Sequence, residues 1–201
     1  MNFKDLLEKR HACKLFNDTK IPEKDLKFIL ECGVLAPSSH GFEPWKFLVV
    51  RDAKKKEELS FIANHQSHIK DAAAVIIILS RLDFAEYFEE KLRQRKMREE
   101  ELQKRLSLYK PFLQNMDKKA KIAYAREQAY IALAGILYAA NALNIATCTI
   151  GGFDAEKLNA YLKLDTNKEL STLMIALGYS DDKDLPSKSR FKFDEVVQFL
   201  D

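Results

Sequence analysis

The sequence predicts an α+β fold, a short-stranded mixed sheet wrapped by helices, and three of its features lead there. An uninterrupted apolar run over 72–79, centred on Val75, Ile76, Ile77 and Ile78, suits a central strand covered on both faces. Two shorter runs, over 145–150 and 172–177, stop at Gly151-Gly152 and Gly178-Tyr179, as strands stop at turns. A helical pattern over 120–143 is apolar all round in its middle, so more than one layer of protein must cover it, and a second subunit is one candidate layer.

The remaining elements follow in chain order. Phe3, Leu6 and Leu7 repeat at helical spacing. Pro22 opens a second helix with Leu26, Ile29, Leu30 and, beyond Gly33, Leu35 on its apolar side. Two prolines and a glycine between Ala36 and Trp45 break any helix and predict an ordered loop, with Trp45 as a core anchor and a short strand after it over 46–50. A helix over 54–63 leads into the central strand. From 83 to 104 charged residues surround Phe84, Tyr87, Phe88, Leu92 and Met97, the pattern of an exposed helical excursion that extends to about 116. The chain closes on Pro186-Ser187-Lys188-Ser189-Arg190 and an apolar alternating tail, Phe191, Phe193, Val196, Val197 and Phe199. No repeat or linker divides it, so 1–201 read as one domain, long enough to bury about 70% of its unfolded surface.

Composition removes several classes of function. Hydrophobic residues make up 47% and charged residues 31%, the balance of an ordinary globular protein. The net charge of +3, from 33 Lys and Arg against 30 Asp and Glu, implies no nucleic-acid partner. The longest apolar stretch, 129–140, is well short of the ~20 residues a membrane span needs. The opening residues carry charges at every turn and lack the apolar stretch of a secretory signal, so a cytoplasmic protein is expected. Cys13, Cys32 and Cys148 cannot all pair, and none sits in a metal-binding spacing. They read as reduced thiols, Cys13 and Cys148 as small core residues.

No G-x-G-x-x-G, G-x-x-x-x-G-K or H-E-x-x-H occurs, so a nucleotide needs a different phosphate site. Two compact basic groups stand near opposite ends, Arg10-His11-Ala12-Cys13-Lys14 and Lys188-Ser189-Arg190. Each alone reads as a solvated patch. A phosphate dianion needs more than one cation, and guanidinium groups bind its oxygens bidentately, but the spacing alone does not bring the two groups together.

In order and spacing, Arg10-His11-x-x-Lys14-x-Phe16, Ala36-Pro37-Ser38-Ser39 through Pro44-Trp45, Ile150-Gly151-Gly152-Phe153-Asp154, Leu177-Gly178-Tyr179 and Lys188-Ser189-Arg190 resemble the oxygen-insensitive nitroreductase family across nearly the whole chain. The resemblance implies a nitroreductase-like fold and an intertwined homodimer holding FMN, with the 120–143 helix in the interface and the tail from Phe191 reaching the partner. It implies ping-pong reduction of nitroaromatic or quinone-like acceptors by NADPH or NADH, with the chemistry on the flavin and no residue standing out as a catalytic acid. Arg10, Lys188 and Arg190 would grip the FMN phosphate, with His11 and Ala12 beside it, and Lys14 would lie by the ring. Pro37, Ser38 and Ser39, with Gly41, would border the ring from the partner subunit. Ile150, Gly151 and Gly152 would cover one ring face and offer it backbone N–H groups, glycine permitting the close approach. His65 and His68 fall at the pyrimidine edge, where relatives place Asn and Lys.

The sequence also departs from the family pattern. Ala12 stands where many relatives have Ser and Gly41 where Asn usually contacts the flavin, which weakens the expected grip on FMN. Glu43 replaces the usual Gln, and Gly151 replaces a glutamate near the nicotinamide site while keeping its backbone donor. His11-x-Cys13-Lys14 together with the segment from Cys148 to Asp154 is similar to the subgroup that activates metronidazole-type prodrugs. The residues by themselves leave open a flavin reductase, another flavin-dependent reductase and a non-catalytic flavin-binding protein.

Overall fold

The computed structural model describes residues 2–182 and 186–200. In chain order its elements are α1 (Phe3–Lys9), α2 (Glu23–Val34), β1 (Trp45–Val50), α3 (Ala53–Ile62), α4 (Ser67–Asp71), β2 (Ala74–Arg81), α5 (Phe84–Arg93), α6 (Glu99–Gln114), α7 (Lys118–Ala142), β3 (Ala146–Ile150), α8 (Ala155–Tyr161), β4 (Glu169–Gly178) and α9 (Phe193–Val196).

The strands pair in the order β1-β2-β4-β3, each neighbouring pair antiparallel. Among the described residues, the parallel component expected of a mixed sheet is confined to one bridge between Ala12 and Thr147, on the outer edge of β3. β2 is central and buried from Ala74 through Ser80, which explains its unbroken apolar run. Alternate residues of it enter different layers. Ile76 and Ile78 pack with Leu26 and Ile29 of α2 and Ile136 of α7. Val75, Ile77 and Leu79 pack with Leu59 of α3, Ile69 of α4 and Leu158 of α8.

α2 and α7 meet where both lack side chains. A Cβ on Gly135 would stand 2.7 Å from the Cys32 carbonyl oxygen, so the helices approach to backbone contact. Leu35, expected on this face, is instead 81% exposed, because the helix ends at Val34 and the C-cap turn breaks its periodicity. Trp45, Cys13 and Cys148 are buried as expected.

The excursion is a pair of helices with a core of its own. Phe84, Phe88 and Leu92, four residues apart along α5, meet Leu102, Leu106 and Leu113 of α6, and Phe42 from the preceding loop joins them. The charged residues take the outer face. α7 begins at Asp117, whose side chain accepts from the Ala120 N–H at 2.7 Å. Its middle is buried on one side, while Tyr130 and Ile131 are 50% and 40% exposed in the single chain. The tail after Lys188 folds into the single turn of α9 and leaves Phe191, Phe199 and Leu200 exposed. Among the described residues no helix is long and apolar enough to cross a membrane.

Candidate functional site

The first basic group is positioned by the edge of the sheet. Ala12 bridges to Thr147, the Cys13 N–H donates to the Thr147 carbonyl at 3.0 Å, and the Asn17 N–H donates to the Tyr179 carbonyl at 2.8 Å. Arg10, His11 and Lys14 therefore lie along β3, which runs straight into Ile150, Gly151 and Gly152. The second basic group comes to the same place. The Lys188 ammonium donates to the Arg10 carbonyl. Loss of solvent, then the charges of Arg10 and Arg190, hold Lys188 below the usual lysine range. Two basic groups distant in sequence thus meet. His11 lines a cleft of about 140 Å³ with Arg10, Thr147 and Ser180.

At the other end of β3 the backbone is open. Ile150 itself is buried, but a Cβ on Gly151 would meet nothing within 4 Å. The Gly152 carbonyl accepts from Asn64 Nδ2 at 3.1 Å and Gln66 Nε2 at 2.9 Å, which ties the 64–68 segment to this turn. Asn64 and His65 both have positive φ, 59° and 61°, a strained pair for residues with side chains. His65 is exposed with its ring edge-on to Phe61, whereas His68 is 5% exposed. Among the described residues the His68 Nε2 has no hydrogen-bond partner. Burial lowers the His68 pKa, the Lys14 charge lowers it further, and Asp71 opposes both. Burial also pushes the Cys148 thiol up, against the opposing pull of Lys14 and Arg10, so Cys148 is not a ready thiolate.

Pro37, Ser38, Ser39 and Gly41 lie elsewhere in the same chain. The Ser39 N–H donates to Gln128 Oε1 at 2.7 Å, the Glu43 N–H donates to Ser38 Oγ at 2.9 Å, and Arg95 covers Gly41. Gln128 and Asn141, which lines the cleft beside Arg10, are both on α7, about 20 Å apart at 1.5 Å per residue. One subunit therefore does not bring this loop onto the Arg10 and Lys188 group. Sequence reasoning missed Asn64, Gln66, Gln128 and Arg95. Only Gln128 carried a signal, as an amide at the start of an apolar helical stretch. No cluster of His, Cys, Asp or Glu among the described residues suits a metal ion.

A family model described as the nitroreductase family matches residues 7–179. A Haemophilus influenzae protein carrying the provisional name NAD(P)H nitroreductase is 31% identical over 98% of this chain and 95% of its own. The crystal structure of a nitroreductase family protein from Streptococcus pneumoniae TIGR4 is 28% identical, with a TM-score of 0.87 over 99% of this chain and 100% of that one. A provisionally named nitroreductase from Exiguobacterium sibiricum, solved in complex with FMN, shares the fold at 19% identity, with a TM-score of 0.88 over 100% of this chain and 98% of its own. A match over most of the length, at the level of both sequence and fold, assigns the protein: it belongs to the nitroreductase family.

Proposed function

We propose that the protein is an FMN-dependent NAD(P)H oxidoreductase that reduces nitroaromatic or quinone-like acceptors, working as a cytoplasmic homodimer. The observation that carries this reading is the single edge of β3, with Lys188 on the Arg10 carbonyl and Arg190 two residues on at one end and Gly151 open at the other. The residues present suit FMN. Two guanidinium groups and an ammonium match a phosphate dianion. The space over Gly151 admits a flat ring to the backbone, and the unpartnered, buried His68 Nε2 offers a polar edge a partner.

When bound, FMN would supply the hydride-transfer chemistry between NADPH or NADH and the acceptor, in ping-pong order. The chain's own part is placement and field. Arg10, Lys188 and Arg190 fix the phosphate end, Lys14 sets a positive potential at the ring end, and the backbone at Gly151 and Gly152 bounds one face. Pro37, Ser38, Ser39 and Gly41 complete the site from a partner subunit, which accounts for their distance from Arg10 within one chain. The exposed apolar side chains of α7 and of the tail from Phe191 are the surfaces a second copy covers. A nitroimidazole is the first acceptor to try, on the resemblance of the His11 to Lys14 and Cys148 to Asp154 segments.

The test is direct. Purified protein shows flavin absorption bands, at least after FMN is added, and light scattering at micromolar concentration gives the mass of a dimer. A colourless protein with no FMN binding by fluorescence titration ends the reading. Turnover with a panel of nitro, quinone and free-flavin acceptors separates a nitroreductase from a flavin reductase. Bound FMN without NAD(P)H oxidation marks a non-catalytic flavin protein.

A further inference from the structure

The loop expected to face the partner's flavin is strained and held rigid. His40, Gly41 and Glu43 have φ of 53°, 63° and 49°. Phe42 between them is 1% exposed, Gln128 holds Ser39, and the Lys91 ammonium holds the Glu43 carboxylate at 2.9 Å. Across this loop lies Arg95. Its Nη2 donates to the His40 carbonyl at 2.5 Å and stands 2.1 Å from where a Gly41 Cβ would be. A side chain at Gly41 and the guanidinium at its present place exclude each other.

Arg95 is exposed, and among the described residues its guanidinium makes no other hydrogen bond and no ion pair. A pair of rings adjoins it through His40. The His40 ring leans on Tyr109 with centroids 4.2 Å apart. Phe112, three residues along α6 from Tyr109 and so on the same side, is 54% exposed. A planar cation with free donors beside exposed rings suits an aromatic ligand bearing an anionic group, bound bidentately at one end and stacked at the other.

We propose that Arg95, occupying the space left by Gly41, is the specificity-determining residue of the acceptor site and selects aromatic acceptors that carry a carboxylate. This rests on the reading that the 37–41 loop borders the partner's flavin. The test uses the FMN-loaded dimer. Arg95→Gln lowers the ratio of kcat/KM for 4-nitrobenzoate to that for 4-nitrobenzyl alcohol about tenfold, as the loss of a charge-assisted bond at an open site predicts. Benzoate, which accepts no hydride, then binds about tenfold more weakly, read from its perturbation of the flavin absorption. If either quantity is unchanged, the proposal is overturned. A variant that instead loses preference between NADPH and NADH, with the acceptor ratio intact, assigns the cation to the donor's phosphate and overturns it equally. Wild-type enzyme that reduces neither acceptor defeats the nitroreductase reading alone, and benzoate binding then decides for or against Arg95.

Discussion

Along the outer edge of β3 the segment from Arg10 to Asn17 is pinned by backbone contacts and by Cys13 and Phe16 and presents its charges outward, whereas the loop from Pro37 to Trp45 is fixed by the burial of Phe42 and Trp45. The charged side chains of the first region are easily altered, since they lie outside the core. The second keeps His40 and Glu43 at positive φ, each costing about 1–3 kcal/mol, while Gly41 adopts the same region freely, and it persists because Phe42 is sunk among Phe84, Phe88 and Tyr124. One region displays charge and the other is held in shape.

The largest expected effect separates the two. Phe42→Ala empties a fully buried aromatic site and destabilises the fold by about 3–5 kcal/mol in urea denaturation. Arg10→Ala, measured without FMN, changes stability by no more than about 0.5 kcal/mol. Comparable losses for both variants erase the distinction. Ligand affinity reverses the ranking. Arg190→Ala weakens FMN binding about ten- to a hundredfold by fluorescence titration, the loss of a charge-assisted hydrogen bond. NAD(P)H oxidation at saturating FMN stays as in the parent. Arg10→Lys keeps the charge and loses only the fork geometry, so its effect on affinity is smaller than that of Arg190→Ala. Parental FMN affinity in Arg190→Ala removes the phosphate assignment.

The two regions were also unequally legible. The β2 run and the α7 pattern announced themselves because both faces of one and the middle of the other are buried, and burial leaves an apolar signature. α4 and α8 are five and seven residues long, too short for a 3.6-residue period to register, and α8 is marked mainly by its cap at Asp154. The excursion read as an exposed helix because charges dominate its composition, yet two helices packing on each other hide Leu102, Leu106 and Leu113. At the site, the basic groups were visible as sequence clusters. Their convergence, and the placing of Arg95 over Gly41, depend on contacts between residues far apart in sequence, which no local pattern encodes.

The smallest expected effect concerns the other end of β3. His68 is 5% exposed on α4 with its Nε2 unpartnered, and the groups acting on it are Lys14 from the edge segment and Asp71 from its own helix. Burial first and Lys14 second lower its pKa below the ordinary 6.5, with Asp71 opposing them. As pH falls through 6.5, the unfolded chain takes up a proton that the folded chain refuses, so stability declines toward acid. The decline stops once the folded histidine itself protonates. Denaturation of the FMN-free protein at about pH 7.5 and about pH 5.5 measures this, with His68→Gln as the reference that has no proton to take. Wild type loses more stability than the variant between the two conditions, while carboxylates common to both cancel in the difference. Equal losses mean that solvent already reaches His68, and its Nε2 is then no dry partner waiting for the edge of a ligand.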